Sequence, residues 1–216
     1  MVHVAQIGPD QSRDHDITIF LSGCVRNDQG RQWRDWIYHT LIEEIEENIE
    51  FDNVELSIGL ISPINENMDW EDDSIFSNQE KIKWETESIE RSDIFFCYIP
   101  EIQDCRQAVN EILYRQMSWR DGVYEHHFRF TNKPYRFDAK SILCIDPKHW
   151  SYAYLRMLQE RYGEIDEDLG IDGYPQSFAP FADYFETKYY NGLKRLVNTT
   201  TKMLRSAEAY SYAKSA

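Results

Sequence analysis

The chain has 216 residues, of which 38 are acidic and 23 are basic, so its formal net charge at pH 7 is −15. Binding to nucleic acid or to an anionic membrane surface needs clustered Lys and Arg, so this balance argues against both kinds of partner. No apolar run approaches the roughly 18 residues of a membrane span, and the polar first residues lack the features of a signal peptide. We therefore expect a soluble, cytoplasmic protein.

Short apolar runs alternate along the chain with segments whose apolar residues recur at helical spacing. Residues 1–16 are polar and predict a flexible lead-in. The pattern then predicts strands at Ile17–Leu21, Val54–Ile61, Ile94–Ile99 and Ser141–Ile145, and helices at Gln32–Asn48, Ile75–Arg91, Gln103–Met117, Trp150–Tyr162 and Ala182–Ala213. An aromatic-rich stretch at 118–140 interrupts this rhythm and predicts an inserted β-hairpin.

The alternation of strands and helices predicts one α/β domain over residues 17–216, with a parallel sheet of about four or five strands covered on both faces. Ligands of such sheets bind beyond the carboxyl ends of the strands. The candidate positions are therefore Ser22-Gly23, Ser62-Pro63 with the loop that follows, Tyr98-Ile99-Pro100, and the residues from Asp146 onward. The chain has neither the glycine fingerprint of dinucleotide-binding domains nor a P-loop.

The cysteines predict no metal centre. None of the four forms a C-x-x-C pair, so a structural zinc site is not expected. Cys97 and Cys144 lie inside apolar runs and are typical of small buried side chains. This usage fits a reducing compartment.

The order of several short motifs resembles the nucleoside 2-deoxyribosyltransferase-like family, whose members show F-L-A-G-S, an N-P loop, a W-E helix, an A-D-[VI] strand start, a proline loop and an E-L-G helix. The resemblance covers residues 17–150, and residues 151–216 form a helical extension outside it. The matching segments, in chain order, are Phe20-Leu21-Ser22-Gly23, Ser62-Pro63, Trp84-Glu85, Ser92-Asp93-Ile94, Ile99-Pro100, Glu111-Ile112-Leu113 and, where the family often has F-W after the fourth strand, Pro147-Lys148-His149-Trp150.

The resemblance implies a flavodoxin-like, three-layer fold and cleavage or transfer at the N-glycosidic bond of a deoxynucleoside or deoxynucleotide. It implies Glu111 as the nucleophile and Asp93 as an acid that orients the substrate. A carboxylate can trap the oxocarbenium-like sugar, and a second acid can protonate the leaving base. Other substrate-binding residues, from the motifs or from strand ends and loops on the ligand side, are expected to be Ser22, Gly23, Asn65, Asp69, Trp84, Glu85 and Tyr98.

The same resemblance implies no cofactor and no metal, a small-molecule nucleoside or nucleotide as the partner, and a homo-oligomer. The chain departs from the family where Cys105-Arg106 replaces Ser-Pro and where Leu113 replaces the glycine of E-L-G. These departures support an alternative, a catalytically inactive nucleotide-binding protein of the same fold that acts as a sensor or sequesters its ligand. A third hypothesis is an interaction protein that assembles through its C-terminal helix.

Each candidate residue also has an ordinary structural explanation. Glu111 could be a solvated helix residue, and Asp93 could be a residue of the turn between helix and strand. Glu85 could pair with Lys81 one helical turn away. The acidic loop that contains Asp69 could supply a general acid or bind Mg²⁺, or it could be a solvated charge run.

Overall fold

The computed structural model describes residues 1–7, 15–23, 28–50, 54–63, 78–100, 105–120, 140–146, 148–155, 157 and 196–209. A π-helical turn, Ile42–Glu46, continues the first helix, and residues 152–155 and 196–209 are also helical. The main elements are β1 (Val2–Ile7), β2 (Ile17–Gly23), α1 (Asp28–Leu41), β3 (Leu56–Ile61), α2 (Asn78–Arg91), β4 (Ile94–Ile99), α3 (Arg106–Arg120) and β5 (Lys140–Ile145).

The five strands form one parallel sheet in the order β1-β3-β2-β4-β5. The order β3-β2-β4-β5 is the flavodoxin-like arrangement of a doubly wound sheet, and β1 is an additional strand beside β3. The chain therefore changes direction across the sheet between β2 and β4, whose ends lie side by side with Gly23 opposite Tyr98.

Alternate side chains of the strands supply two separate cores. Ile19, Leu21 and Phe96 face α1 and the helical residues 196–209, and Phe20 and Phe95 face α2 and α3. Strands buried on both faces explain the near-continuous apolar runs in the sequence. The prediction of an α/β, flavodoxin-like, three-layer fold is confirmed.

The expectation of a flexible lead-in over residues 1–16 is wrong for Val2–Ile7, which forms β1 at the edge of the sheet. Val2, Val4 and Ile7 are buried. A Cβ atom at Gly59 of β3 would collide with the Ile7 side chain, so the glycine makes room for this strand. The alternation of β1 is brief and contains polar residues, which is typical of an edge strand with one wet side.

Two other predictions are tested only in part. Helix α3 continues to Arg120, so the first residues of the predicted hairpin at 118–140 are helical, and 121–139 lie outside the described residues. Residues 196–209 confirm the central part of the predicted C-terminal helix. Among the described helices, none combines the length and the apolar character that crossing a membrane requires.

Candidate active site

The carboxyl ends of β2 and β4 meet where the sheet changes direction, and the last residue of β2 is a glycine that no other residue could replace without strain. Gly23 has φ +148°, in the region that favours glycine. A Cβ atom there would lie 2.5 Å from the Tyr98 carbonyl oxygen and 2.8 Å from the Trp33 ring. The close approach of β2, β4 and α1 therefore depends on a missing side chain.

Ser22 and Glu111 come together directly before this glycine. Ser22 alternates with Leu21 and so faces α3, where Glu111 lies on the inner side between Ala108 and Ile112. The Ser22 hydroxyl donates to Glu111 Oε2 at 2.5 Å. Both side chains are buried, with Ser22 at 0% and Glu111 at 5% exposure, so this polar contact lies inside the protein.

A second carboxyl group, Glu85 of α2, joins the same site. The Gln107 side-chain amide donates to Glu85 Oε2 at 2.9 Å. Gln107 also stands one turn before Glu111 on α3, where it lowers the pKa of that carboxyl group. Gln107 itself is exposed, whereas Glu85 is buried at 9% exposure. The amide therefore acts on two carboxyl groups from different helices at the border between the core and solvent.

Burial changes the protonation of both carboxyl groups. Loss of hydration, and then the nearby Glu111, raise the pKa of Glu85 to about 7, against an opposing hydrogen bond from Gln107. Burial also raises the pKa of Glu111, although Ser22, Arg34 and Gln107 each oppose the shift. Two carboxylates this close repel each other, so the pair favours the state that holds a proton.

Arg34 of α1 supplies the positive charge of this site. Its guanidinium is buried, lies 4.1 Å from the centre of the Trp33 ring, and donates through Nη2 to the carbonyl oxygens of Leu21 and Gly23 at 3.3 Å each. Arg34 therefore holds the backbone on both sides of Ser22.

Cys97 of β4 is the remaining neighbour of Ser22. It lies opposite Ser22 in the sheet and is fully buried. Burial raises the pKa of the Cys97 thiol, so the thiol stays neutral and is a poor nucleophile.

This combination of groups suits reactions in which a sugar cation is stabilised and a leaving group is protonated. One carboxyl can carry a proton at neutral pH while its neighbour is ionised, which is the division of labour in glycosidic bond cleavage. Ser22 and Gln107 orient the two groups through hydrogen bonds, and Arg34 favours the ionised form of Glu111.

The structure does not bring Asp93 to this site, which corrects its assignment as an acid that orients the substrate. Asp93 precedes β4, so it lies at the amino end of the sheet, four residues or about 13 Å along the strand from Cys97. Its Oδ2 accepts hydrogen bonds from the Thr18 backbone N–H at 2.7 Å and the Thr18 hydroxyl at 2.8 Å. Asp93 holds β2 and β4 in register, in agreement with its ordinary structural explanation.

The other predicted site residues have different placements. The site brings Glu85 and Glu111 together with Ser22, and Gly23 is the next residue of the chain after Ser22. Trp84 is buried in the core between the sheet and α2–α3. Tyr98 lies on the opposite, α1 side of the sheet, with its ring centre 5.4 Å from that of Trp33. Asn65 and Asp69 lie outside the described residues.

Sequence reasoning missed Arg34 and Gln107. Gln107 stands four residues before Glu111, so helical spacing was the available signal for its place beside the nucleophile candidate. Arg34 gives no such signal, because it follows an apolar Trp in a polar stretch and reaches the site from the other face of the sheet. Leu113, which replaces the glycine of the E-L-G motif, is half-buried against the apolar core beside α2 and α3.

Among the described residues, no three His, Cys, Asp or Glu side chains lie close enough to hold a metal ion. Cys97 and Cys144 are buried thiols outside any disulfide, and Cys105, just before α3, is disulfide-bonded. The sequence spacing did not predict that bond.

Comparison with known proteins adds no identification. No model of a known protein family matches the chain, and no curated protein matches it. The function therefore has to be argued from the geometry of the site and from the resemblance of its motifs.

Proposed function

We propose that this protein cleaves, or transfers the sugar at, the N-glycosidic bond of a deoxynucleoside or deoxynucleotide. One observation carries the proposal: the Ser22–Glu111 hydrogen bond places a buried glutamate at the carboxyl edge of the sheet, beside a second carboxyl group, at the point where the strand order reverses. This is where parallel α/β folds bind their ligands. The motif order that resembles the nucleoside 2-deoxyribosyltransferase-like family supports the same reaction.

Glu111 is the nucleophile in this proposal. An ionised Oε atom of Glu111 attacks the anomeric carbon as its bond to the base nitrogen breaks, and the electron pair of that bond leaves with the base. Ser22 orients the carboxyl group through its hydroxyl, and Arg34 lowers the cost of its charge.

Glu85 is the proton donor in this proposal. Because its pKa is about 7, Glu85 carries a proton in about half of the molecules at neutral pH and can give it to the departing base nitrogen. Water then releases the sugar from Glu111 in a hydrolase, with Glu85 accepting a proton from that water. In a transferase, a nitrogen of a second base takes the place of water: it bonds to the sugar carbon, the bond to Glu111 breaks, and Glu85 accepts the proton of that nitrogen. We propose a homo-oligomer on the family resemblance alone.

A release assay tests the proposal. The protein is incubated with each deoxynucleoside and each deoxynucleoside monophosphate, and free base is measured by chromatography. The proposal requires release by the wild type, loss in Glu111→Gln and strong reduction in Glu85→Gln. Glu87→Gln, on α2 but ion-paired with Lys83 on the solvent side at 3.9 Å, is the matched control and should retain activity.

The burial of Glu111 favours one alternative, a nucleotide-binding protein without catalysis. A glutamate at 5% exposure with a raised pKa carries less of the ionised form that a nucleophile needs. This alternative expects thermal stabilisation by a deoxynucleotide and no free base. Retention of full base release in Glu111→Gln would show that the reaction uses other residues.

A further inference from the structure

The buried cation of the site, Arg34, makes contacts that a residue needed only for packing would not require. Its guanidinium donates to the carbonyl oxygens of Leu21 and Gly23, which are the two residues on either side of Ser22 in the chain. Ser22 in turn donates to Glu111. A single side chain of α1 therefore holds the backbone that aims a hydroxyl of β2 at a carboxyl group of α3.

The two carbonyl groups that Arg34 binds lie at the end of β2. Strand β2 pairs with β3 from Ile17 to Phe20. The carbonyl groups of Leu21 and Gly23 therefore lie beyond the end of this hydrogen-bond ladder. Buried carbonyl groups need hydrogen-bond partners. Arg34, which is only 4% exposed, is the partner of both groups. A neutral amide could satisfy these acceptors as well, so the choice of a permanent cation at this position calls for a further reason.

The charge of Arg34 acts on Glu111, one member of the carboxyl pair. Glu111 is buried, and Arg34 is the cation that opposes the effect of burial on it. The groups that face Glu111 from the elements packed around it are Ser22 of β2, Cys97 of β4, Glu85 of α2, Gln107 of α3 and Arg34 of α1. Among these groups the guanidinium is the only one with a positive charge.

We propose that Arg34 is the positioning residue of the carboxyl site: it fixes the backbone on both sides of Ser22, so that the hydroxyl is aimed at Glu111, and its charge keeps Glu111 available as an anion. The inference rests on the proposed function for its consequence in catalysis. Its structural and electrostatic parts concern the free protein and are measured without a substrate.

A second buried arginine supplies a matched control. Arg115 of α3 is 3% exposed and also donates to two backbone carbonyl groups, those of Ile89 and of Ser92, the latter at 2.9 Å. Its acceptors lie at the end of α2 and before β4, at the amino end of the sheet. Replacing Arg115 therefore removes the same kind of contact and costs stability, and it leaves the acceptors beside Ser22 in place.

The test follows the carboxyl groups by ¹³C NMR over a pH titration of glutamate-labelled protein. The signals of the pair are assigned by their absence in Glu111→Gln and Glu85→Gln. Arg34→Met should move the midpoints of the pair upward, because a cation that favours the ionised form has been removed. Arg115→Met should leave them at their wild-type values. Equal midpoints in Arg34→Met, Arg115→Met and wild type would overturn the electrostatic part.

Arg34→Lys tests the contact separately from the charge, and serves if the Met variant does not fold. It keeps the charge, but Lys Nζ lies one bond nearer its own backbone than Arg34 Nη2, the atom that donates to both carbonyl groups. Backbone amide exchange at Ser22 and Gly23 should rise about tenfold or more, since hydrogen bonds to a charged group are lost, whereas Arg115→Lys should not affect exchange there. Unchanged exchange at these two amides in Arg34→Lys would overturn the positioning part.

An activity measurement then separates this inference from the proposed function. If the wild type releases base, Arg34→Met should move the acidic limb of the kcat profile to higher pH, and Arg34→Lys should restore it. A shifted carboxyl titration in a wild type that releases no base would contradict the proposed function and uphold the role of Arg34.

Discussion

The two ends of the β2–β4 strand pair use the same kinds of side chain for different purposes. At the amino end, a hydroxyl (Thr18) donates to a carboxyl group (Asp93), and a buried arginine (Arg115) holds two backbone carbonyl groups. The carboxyl end repeats this set with Ser22, Glu111 and Arg34. Residue types alone therefore do not separate the candidate site from a structural junction.

The difference lies in what each carboxyl group meets. Asp93 accepts the backbone N–H and the hydroxyl of one residue, and these bonds join neighbouring strands. Glu111 meets a second carboxyl group, Glu85, in a buried place, and both pKa values are raised. Burying two like charges opposes folding, so such a pair indicates function more strongly than a single satisfied carboxylate. The following predictions test this contrast.

The largest expected effect is on activity at the carboxyl end. If Glu111 is the nucleophile, Glu111→Ala should lower the rate of base release by about 10³-fold or more, because the covalent route is lost. Single-turnover assays of purified protein provide the measurement. Asp93→Asn is the comparison at the other end and should retain the rate per folded molecule. A variant of Asp93 that loses activity while it stays folded would contradict the contrast.

The next effect concerns the glycine that ends β2. Gly23→Ala should destabilise the protein by about 3 kcal/mol, since the new Cβ meets the Tyr98 carbonyl at 2.5 Å and φ stays at +148°. Chemical denaturation with matched m-values measures the change. A loss below about 1 kcal/mol would mean that β2 and β4 can separate at this end without cost.

The dependence of stability on pH should distinguish the carboxyl pair. The pKa of Glu85 is about 7 in the folded protein and lies near 4.5 when the chain is unfolded. The unfolded state releases this proton first, so the contribution of Glu85 to stability is complete below pH 4.5 and is lost as pH rises to 7.

Glu85→Gln removes that loss. The stability of the variant relative to the wild type should therefore increase by about 3 kcal/mol between pH 4.5 and pH 8. Urea unfolding at several pH values is the measurement, and Glu87→Gln should show no such trend. If the difference in unfolding free energy between variant and wild type does not change with pH, the raised pKa does not belong to Glu85.

The smallest effect is expected at the amino end. Asp93→Asn should destabilise the protein by about 1.5 kcal/mol, because hydrogen bonds from Thr18 to a charged acceptor become bonds to a neutral one. Thermal and urea unfolding measure the change. If Asp93→Asn lowered stability by more than Gly23→Ala does, the amino end would be the more sensitive of the two ends, which contradicts the expectation.

Much of the fold could be predicted from local patterns. Strand β4 was predicted with its observed bounds, and the ends of the other core elements differ by a few residues from the observed ones, because apolar runs and helical spacing depend on neighbours in the chain. The edge strand β1 was missed, since a short half-wet strand carries a weak local signal and is held by its pairing with β3.

For the site, the sequence by itself determined which chemical groups are present and, through strand direction, at which end of the sheet each one lies. Strand direction already separates Asp93, which precedes a strand, from Ser22, which lies at the end of one. The resemblance of motifs alone does not separate these two residues. Only the tertiary structure decided that Ser22 meets Glu111, 89 residues away, and that Glu85 and Arg34 join them. The physical reason is that these contacts depend on how α1, α2 and α3 pack on the two faces of the sheet, and no local pattern in the chain encodes which polar side chains that packing buries together.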